Sequence, residues 1–334
     1  MEKILSFVIP SYNVEKFLEN TLDSFLVDSV LQDIEVLVID DGSKDKTAEI
    51  AQSYAEKYSD SFRVISKENG GHGSTINVGI QEATGKYFKV VDGDDWVDQD
   101  GLTALVNALK SCDSDFVFTN YYEYYEDIGE KKPIVFDILS PNREYAFAGV
   151  CEKQLLPMHA LVIKTAILKE NQIRLDEKCF YVDVEYVLFP VPFVKTVTFF
   201  DCYVYMYRLA LDTQSVSIKG FQKHKDDHVR VCYHLLEFAR DYKARKDAVP
   251  QYVNYIEKRV AEIVRTQSTI YSSFPWDDKD IIAEFKAFDA KTRELNPDVY
   301  AQSSAISKKL MLLRKTNFKF YKLIQFLSEK ANKK

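Results

Sequence analysis

Apolar runs alternate with segments of helical spacing over the first 120 residues of the chain. Short apolar or β-branched runs predict buried strands at residues 5–9, 34–39, 62–65, 87–91 and 116–119. Apolar residues at helical spacing predict helices at residues 14–30, 46–58, 74–83 and 101–110. Buried strands that alternate with helices form βαβ units, so we expect an α/β fold with a mainly parallel sheet and helices on both faces.

The pattern changes after residue 120. Residues 127–141 are typical of a turn-rich insertion, and residues 194–207 alternate like a strand. From residue 220 onward, helical spacing predicts helices at 224–245, 249–272, 278–296 and 303–331. We therefore predict two regions, an α/β domain over residues 1–217 and a mostly helical C-terminal region over residues 218–334.

Composition narrows the class of protein. The 334 residues are 46% apolar and 28% charged, which is typical of a soluble globular protein. The first residues lack the features of a signal peptide, and no apolar run approaches the roughly 20 residues that span a bilayer. The five cysteines are scattered without CxxC spacing, which favours reduced thiols in the cytoplasm over a zinc site.

Charge is distributed unevenly along the chain. Residues 1–215 hold 20 basic and 36 acidic residues, a net −16, whereas residues 216–334 hold 24 and 15, a net +9. The last 28 residues, 307–334, hold nine basic residues and one acidic residue. By helical spacing, one face of this tail collects Leu310, Leu313, Phe320, Ile324 and Leu327. The tail is typical of an amphipathic helix on an anionic membrane, and packing on the body is the alternative. A nucleic-acid partner is not expected, because the acidic body would repel it.

Three carboxylates follow the predicted strand at residues 87–91. Asp92, Asp94 and Asp95 lie within four residues, where their like charges repel one another and are costly to bury. Oxygen ligands of this kind suit Mg²⁺ or Mn²⁺. The alternative is an acidic turn in which Asp95 caps the next helix.

Polar loops also follow three other predicted strands, at residues 10–13, 40–43 and 67–73. Ligands of open α/β sheets bind beyond the carboxyl ends of the strands, so these loops and the acidic turn predict one binding site. The glycines of the third loop do not form a dinucleotide fingerprint. Ile76 stands where the third glycine would be, and the loop follows the third strand instead of the first.

Together these loops resemble the family 2 glycosyltransferases of the GT-A fold. The resemblance rests on the segments VIPSYNVE (8–15), VIDDGSKDKT (38–47), NVG (77–79) with ATGKY (83–87), and DGDDW (92–96). It covers residues 4–120 closely and extends more loosely to about residue 217. It implies a GT-A, Rossmann-like sheet with a nucleotide-sugar half over residues 1–120 and an acceptor half over residues 121–217.

The resemblance implies a nucleotide site on the first two loops. Pro10, Tyr12 and Glu15 match the loop that lines the base and the ribose. Asp41 matches the acid that accepts the uracil imide N–H, with Asp40 supporting the ribose side. A helix cap and turn is the alternative role of this acidic pair.

The resemblance also implies a diphosphate and metal site. Gly71 would let the backbone approach the diphosphate or the donor sugar, and Lys67 or His72 would supply a basic residue there. Asp92 matches a position near the ribose, and Asp94 matches the metal ligand. We expect both carboxylates at the metal, which would stabilise charge on the leaving group.

The catalytic base is expected in a later segment. Family members carry an acidic pair at the start of a helix, and Asp183 matches its second acid, whereas Val182 replaces the first. Asp183 and Glu185 differ by about 200° around a helix, so they do not both face the site, and we favour Asp183 as the base. Arg208 matches a diphosphate contact, with a structural ion pair as the alternative, and His159 lies in the region that lines the acceptor side.

The expected function is an inverting, metal-dependent glycosyltransferase that moves a sugar from a UDP-sugar to an acceptor hydroxyl, with Mn²⁺ or Mg²⁺ bound. The family suggests a lipid-linked saccharide or glycan as acceptor, in bacterial envelope, capsule or glycoprotein assembly. The alternatives are a catalytically silent scaffold subunit that binds nucleotide sugars, and a nucleotidyltransferase, whose basic Gly-rich loop after the first strand is missing. We further expect a cytoplasmic protein at the inner face of the plasma membrane, and a homodimer through the C-terminal helices.

Overall fold

The computed structural model describes residues 3–210 and 217–332. The chain divides into two compact units, Met1–Leu211 and Asp212–Lys334. The boundary that the sequence predicts, between residues 217 and 218, adjoins residues 211–216, which lie outside the described residues. The assignment of the two regions as separate domains stays a prediction.

The first unit is built on a ten-stranded sheet. Its strands are β1 (Leu5–Ser11), β2 (Ile34–Asp40), β3 (Phe62–Ser66), β4 (Tyr87–Val90), β5 (Trp96–Val97), β6 (Phe116–Tyr125), β7 (Glu130–Ile134), β8 (Glu144–Ala146), β9 (Leu161–Lys164) and β10 (Thr196–Leu209). Its helices are α1 (Leu18–Asp23), α2 (Thr47–Lys57), α3 (His72–Glu82), α4 (Gln99–Leu109), α5 (Thr165–Glu170) and α6 (Asp183–Leu188). The strand order is β3-β2-β1-β4-β9-β6-β10-β5, with β7 beside β6 and β8 beside β10.

The half of the sheet formed by β3, β2, β1 and β4 is entirely parallel. Every residue of β1 and β2 is buried, which explains why both strands are nearly continuous apolar runs. Ser11 pairs with Asp40, and Asp40 pairs with Ser66, so three strands end at the same level. The predicted α/β fold with polar loops at one sheet edge is confirmed in this half.

The other half of the sheet is mixed. Strand β9 is antiparallel to both β4 and β6, whereas β10 is parallel to β6 and antiparallel to β5. The pairing of β10 with β6 shifts register between Phe200 and Tyr205. Beyond this irregularity, Tyr205 and Met206 pair with β5, which follows the acidic turn directly. The end of β10 therefore lies beside Asp92–Asp95.

One predicted helix of this unit is wrong in length. The pattern predicts a helix over residues 14–30, but α1 includes only Leu18–Asp23. The backbone N–H groups before it have partners elsewhere, since Val14 donates to Thr47 Oγ1 (2.9 Å) and Glu15 donates to Asp45 Oδ2 (3.2 Å). These tertiary bonds hold residues 14 and 15 in a loop against the start of α2.

The second unit is helical, as predicted. Its helices are α7 (Ile218–Lys223), α8 (Lys225–Lys243), α9 (Pro250–Tyr271), α10 (Lys279–Leu295), α11 (Pro297–Ala305), α12 (Lys308–Lys315) and α13 (Tyr321–Asn332). Aromatic rings fill part of its core, with Phe285 5.0 Å from Tyr271 and 5.0 Å from Phe318 between ring centroids. None of the described helices is long and apolar enough to cross a membrane.

The prediction of a single helix over residues 303–331 is wrong, because the helix is interrupted twice, between α11 and α12 and between α12 and α13. Ser307 caps α12 by accepting the N–H of Leu310 (3.2 Å). Asn317 and Phe318 then adopt positive φ angles of 47° and 61°, which end helical geometry before α13.

These breaks also divide the apolar face that the spacing predicts for the tail. Leu310, Leu313 and Ile324 are buried inside the unit, whereas Phe320 is 50% exposed. Leu327 has a side chain outside the described set. The first part of the tail is therefore core, and the prediction of one lipid-facing line is wrong for it.

The five cysteines, all within the described residues, form no disulfide in the structure. Their reduced state stays a prediction.

Candidate active site

The loops after the parallel strands are bonded to one another. Gly93 donates its N–H to the Pro10 carbonyl (3.1 Å), and Asp41 donates to the Ser11 carbonyl (2.9 Å). The N–H of Lys67 donates to the carbonyl of Asp40 (2.9 Å). Four loops that are distant in sequence therefore form one continuous rim.

The first loop leaves an aromatic ring exposed at this rim. Tyr12 is 49% exposed, while its neighbours are held against the loop before α2. Asn13 donates its N–H to Ser43 Oγ (3.0 Å), and Glu15 Oε2 accepts the N–H of Lys46 (2.9 Å). Pro10 is buried in β1. The structure thus holds the loop in place and leaves the Tyr12 ring open for a planar ligand.

Asp40 and Asp41 have different partners. Asp40 Oδ1 accepts the N–H of Ser43 (3.1 Å), which is the turn geometry expected for an Asp after a strand. Asp41 Oδ1 accepts from Lys67 Nζ (2.7 Å), and its two oxygens accept the N–H groups of Gly70 and Gly71 (2.9 and 2.8 Å). Asp41 therefore holds the glycine loop in place through these hydrogen bonds. Sequence spacing does not indicate this role.

The glycines of this loop are needed for a close approach by another segment. Gly71 has φ +81°, and a Cβ there would lie 3.2 Å from the backbone of Lys178. A Cβ on Gly73 would lie 2.0 Å from the carbonyl oxygen of Asp176. The segment before α6 thus packs directly on the start of α3, which gives these glycines a structural reason besides the diphosphate approach expected above.

Asn77 fastens the same segment to α3. Its Nδ2 donates to the Leu175 carbonyl (2.9 Å), and its Oδ1 accepts the Leu175 N–H (2.8 Å). On the other side, buried Glu185 accepts the N–H of Asp176 through Oε2 (2.8 Å). We name Leu175–Lys178 with these contacts the clasp, and it connects the glycine loop to helix α6.

His72 and Asp92 form an ion pair at the centre of the site. His72 Nε2 lies 2.8 Å from Asp92 Oδ1, and both side chains are about one quarter exposed (28% and 27%). Burial by itself would lower the pKa of His72, but Asp92, Asp183 and Asp94 raise it. Burial by itself would raise the pKa of Asp92, and the neighbouring His72 holds it below its usual value.

The other two acids of the turn, Asp94 and Asp95, both have raised pKa values. Burial, and then the charge of Asp92, raise the pKa of Asp94 to about 6. Burial and the charges of Asp94 and Asp92 raise the pKa of Asp95 well above its usual value. Asp92 and Asp94 are both partly exposed, and the charge of Asp92 raises the pKa of Asp94, so a hard divalent cation would stabilise this pair of oxygen donors.

Asp95 is fixed by strand β10. Its carboxylate accepts the Tyr205 hydroxyl (2.6 Å) and the N–H of Arg208 (2.7 Å), and it is 2% exposed. It does not cap the next helix, which was the alternative from sequence, because the N-cap of α4 is Asp98. Asp95 therefore holds the acidic turn against β10 and leaves Asp92 and Asp94 nearer the solvent.

Arg208 supports the turn from the same strand. Its Nε donates to the Asp94 carbonyl (2.7 Å), and its Nη1 pairs with Glu126. The guanidinium lies 4.5 Å from the Trp96 ring centroid and 4.9 Å from that of Phe17. The structural ion pair is present, and the diphosphate contact of Arg208 stays a prediction.

Asp183 and Glu185 differ in their surroundings. Asp183 is the first residue of α6 and is half-buried, whereas Glu185 is fully buried and binds the clasp. The charge of Asp183 acts on His72 and on Tyr207 together with the charges of Asp92 and Asp94. Asp183 is thus close enough to act electrostatically on the same two residues as the acidic turn, although it follows the turn by about 90 positions.

Aromatic residues pack together beside the turn. Sequence reasoning expected His159 on the acceptor side but gave no role to Tyr205 or Tyr207. His159 stacks on Tyr207 at 4.0 Å and meets the Tyr205 ring edge-on at 4.8 Å. Buried Lys89 donates to the carbonyls of His159 (2.7 Å) and Leu161 (3.2 Å). Tyr205 and Tyr207 alternate along one face of a strand, and this spacing next to Arg208 is the signal that was available.

Comparison with known proteins identifies what this chain is similar to. Residues 6–165, just under half of the chain, match the model of the family described as "Glycosyl transferase family 2". Over this segment, the chain is similar to the members of that family. The matched residues include all four loops of the rim, and they end before α6.

A curated relative is similar over the same region. EpsJ of Bacillus subtilis, an uncharacterized glycosyltransferase, is 38% identical over 127 residues, which are 38% of this chain and 36% of EpsJ. The chain therefore spans about a third of the length of that relative. The similarity supports the family and leaves the acceptor open.

Two solved structures share the fold. S. aureus TarS 1–349 in complex with UDP-GlcNAc has a TM-score of 0.68 at 18% identity, over 98% of this chain and 92% of that chain. The mannosyltransferase PcManGT from Pyrobaculum calidifontis, in complex with GDP-Man and Mn²⁺, has a TM-score of 0.51 at 15% identity, over 100% and 89%. These likenesses confirm the predicted fold.

Proposed function

We propose that the chain is an inverting glycosyltransferase that transfers a sugar from a UDP-sugar to an acceptor hydroxyl. The observation that supports the proposal is that the charges of Asp183, Asp92 and Asp94 all raise the pKa values of His72 and Tyr207. Such a site has a cation-binding side and a proton-accepting side, which are the two requirements of displacement at a sugar carbon.

The donor would bind along the rim of loops. The exposed Tyr12 ring would lie against the uracil, with Pro10 and Glu15 shaping this loop and Asp40 on the ribose side. Asp41 Oδ2 accepts the N–H of Gly71, and we assign this carboxylate the uracil imide contact as well. The UDP-GlcNAc complex of TarS, which shares the fold, supports a UDP-sugar donor.

The diphosphate would lie between the glycine loop and the acidic turn. Asp92 and Asp94 would hold Mn²⁺ or Mg²⁺, and a bound ion would neutralise charge on the departing UDP. We assign Gly71, Lys67, His72 and Arg208 to this place, where they would supply the positive charge and backbone contacts that a diphosphate needs. The Mn²⁺ complex of PcManGT supports a metal of this class.

Asp183 would act as the base. It would take the proton from an acceptor hydroxyl while that oxygen bonds to C1 of the sugar, and the bond from C1 to the diphosphate oxygen would break on the opposite face. UDP carries away the electron pair, and the configuration at C1 inverts. Glu185 is unsuited to this step because it is fully buried and bound to the clasp.

The acceptor that we propose is a lipid-linked saccharide or glycan in bacterial envelope, capsule or glycoprotein assembly. The site would then work in the cytoplasm at the inner face of the plasma membrane, and the C-terminal helices would form a homodimer. The aromatic wall of His159 and Tyr207 is the surface on which an acceptor sugar would stack.

A thermal-shift screen tests the donor class. UDP-, GDP- and dTDP-sugars are compared with and without Mn²⁺, for the native chain, Asp94→Asn and the exposed control Asp127→Asn. We expect Mn²⁺-dependent stabilisation by a UDP-sugar, kept in Asp127→Asn and lost in Asp94→Asn. Stabilisation by no nucleotide sugar, or an unchanged response in Asp94→Asn, would contradict the proposal.

A further inference from the structure

We infer that an exposed aromatic surface of the helical unit docks on an anionic lipid bilayer. The surface combines four apolar side chains with two lysines around one open groove. Its residues, which we call the Trp276 patch, are Trp276, Lys319, Phe320, Lys322, Leu323 and Phe326. The inference rests on the membrane location in the proposed function and assigns the surface that makes the contact, but docking itself requires neither the donor nor the acidic turn.

The apolar members of the patch are open to solvent. Trp276 is 40% exposed, and Phe320, Leu323 and Phe326 are 50–52% exposed. A single exposed apolar side chain is ordinary on a protein surface, but four that line one groove are typical of a binding surface. Trp and Phe are also residues that favour the boundary between water and acyl chains.

The opposite face of α13 explains why the patch points outward. Tyr321 is 3% exposed and donates its hydroxyl to the Tyr271 carbonyl (3.0 Å). Gln325 is 1% exposed and donates to the carbonyls of Ser272 (2.7 Å) and Phe274 (2.8 Å). These bonds hold one face of the helix against the unit, while Phe320, Leu323 and Phe326 are about half exposed.

The positive charge of the patch indicates that its binding partner is anionic. Lys322 Nζ lies 3.6 Å from the Trp276 ring centroid, and Lys319 lines the same groove. Residues 319–334 contain five lysines and one glutamate, in a chain with a net charge of −7. A local basic surface with aromatic anchors on an acidic protein complements anionic headgroups above apolar acyl chains. A second copy would instead bring equal positive charges together across a symmetric contact.

Sedimentation with vesicles tests this inference. The full chain is mixed with phosphatidylcholine vesicles and with phosphatidylcholine–phosphatidylglycerol vesicles at several salt concentrations. We expect binding to the anionic vesicles, weakened by salt, and little binding to the neutral ones. Equal binding to both vesicles, or binding to neither, would overturn the inference.

Two paired variants assign the binding to the patch. Lys319→Gln/Lys322→Gln should weaken binding by about 25-fold, at about fivefold for each lysine. Phe320→Ser/Leu323→Ser should abolish sedimentation. The matched controls, Lys246→Gln/Lys286→Gln and Ile128→Ser, change exposed residues elsewhere and should bind like the native chain. Unchanged binding by both patch variants would overturn the assignment.

Two further measurements distinguish lipid docking from sugar transfer and from self-association. Asp94→Asn should bind vesicles fully, so failure of the transferase proposal and failure of docking are distinguishable. Light scattering after gel filtration should show the same mass for the native chain and for Phe320→Ser/Leu323→Ser. A dimer that becomes a monomer in that variant would identify a second copy as the occupant and overturn the inference.

Discussion

Buried acids in the two units differ in their neighbours. In the helical unit, Asp289 Oδ1 accepts from Arg314 Nε at 2.7 Å, and Glu257 accepts from Lys243 (3.0 Å) and Gln302 (2.9 Å). In the α/β unit, burial and the charge of a second acid raise the pKa of Asp94. Burial also raises the pKa of Asp289, but Arg314 opposes that rise.

The difference separates structural acids from functional ones. An acid that is buried with its own cation contributes to folding, and removing either partner leaves an uncompensated charge. An acid whose pKa is raised by a neighbouring acid destabilises the empty fold and is retained for binding or catalysis. By this criterion Asp289 is structural, whereas Asp94 belongs to a site.

The largest expected effect on stability is at Asp289. Asp289→Asn should lower the free energy of unfolding by about 3 kcal/mol, because Arg314 is 5% exposed and would lose its carboxylate. Asp94→Asn, without added metal, should leave it unchanged or raise it. Chemical denaturation measures the free energy of unfolding of both variants. The control is Glu294→Gln, which removes the acid of an exposed ion pair with Lys291 and should lower that free energy by less than about 1 kcal/mol. Equal losses for Asp289→Asn and Asp94→Asn would contradict the comparison.

A smaller effect, on catalysis, is expected at the clasp. Asn77→Asp keeps the shape of the side chain but removes the donor to the Leu175 carbonyl, so α6 should lose its alignment with α3. We expect turnover to fall about tenfold, equivalent to about 1.4 kcal/mol, with little change in donor affinity. Asn107→Asp on the exposed face of α4 is the matched control. A lower donor affinity with unchanged turnover would show that the clasp serves the donor and not the base.

The last expected effect is a pH dependence of the helical unit. Burial lowers the pKa of His228 to about 4, so the unfolded chain binds its proton more readily than the folded chain. Stability from this group is fully present above about pH 6.5 and is lost as the pH falls toward 4. Between pH 7 and pH 5 the loss should be about 2 kcal/mol. Denaturation of His228→Gln should lack this slope, and an equal slope in that variant would contradict the assignment.

Local sequence predicts the parallel half of the fold well. Strands β1 and β2 are buried on both faces, so their apolar runs and the loops that follow them are visible in the sequence. The contacts that hold the site residues in place cannot be predicted from local sequence, because they join residues that are far apart in the chain. Tyr205 binds Asp95 over 110 positions, and Lys89 binds the His159 carbonyl over 70.

The tail shows the limit of helical spacing. The pattern from Leu310 to Ile324 continues through Asn317 and Phe318, where the backbone leaves helical geometry. Helical periodicity shows which residues are apolar. It does not show where a helix ends or which of its apolar faces packs against the rest of the unit. Leu310 and Ile324 are therefore core, and the exposed face is that of Phe320 and Leu323.

The most direct measurement of the central claim compares Asp183→Asn with Glu185→Gln. Glutamine keeps an acceptor for the Asp176 N–H, so the clasp should survive in the second variant. With the donor that the screen identifies, UDP release should fall at least about 100-fold in Asp183→Asn at unchanged donor affinity, and stay near the native rate in Glu185→Gln. Full activity in Asp183→Asn would contradict the account, and so would a loss confined to Glu185→Gln.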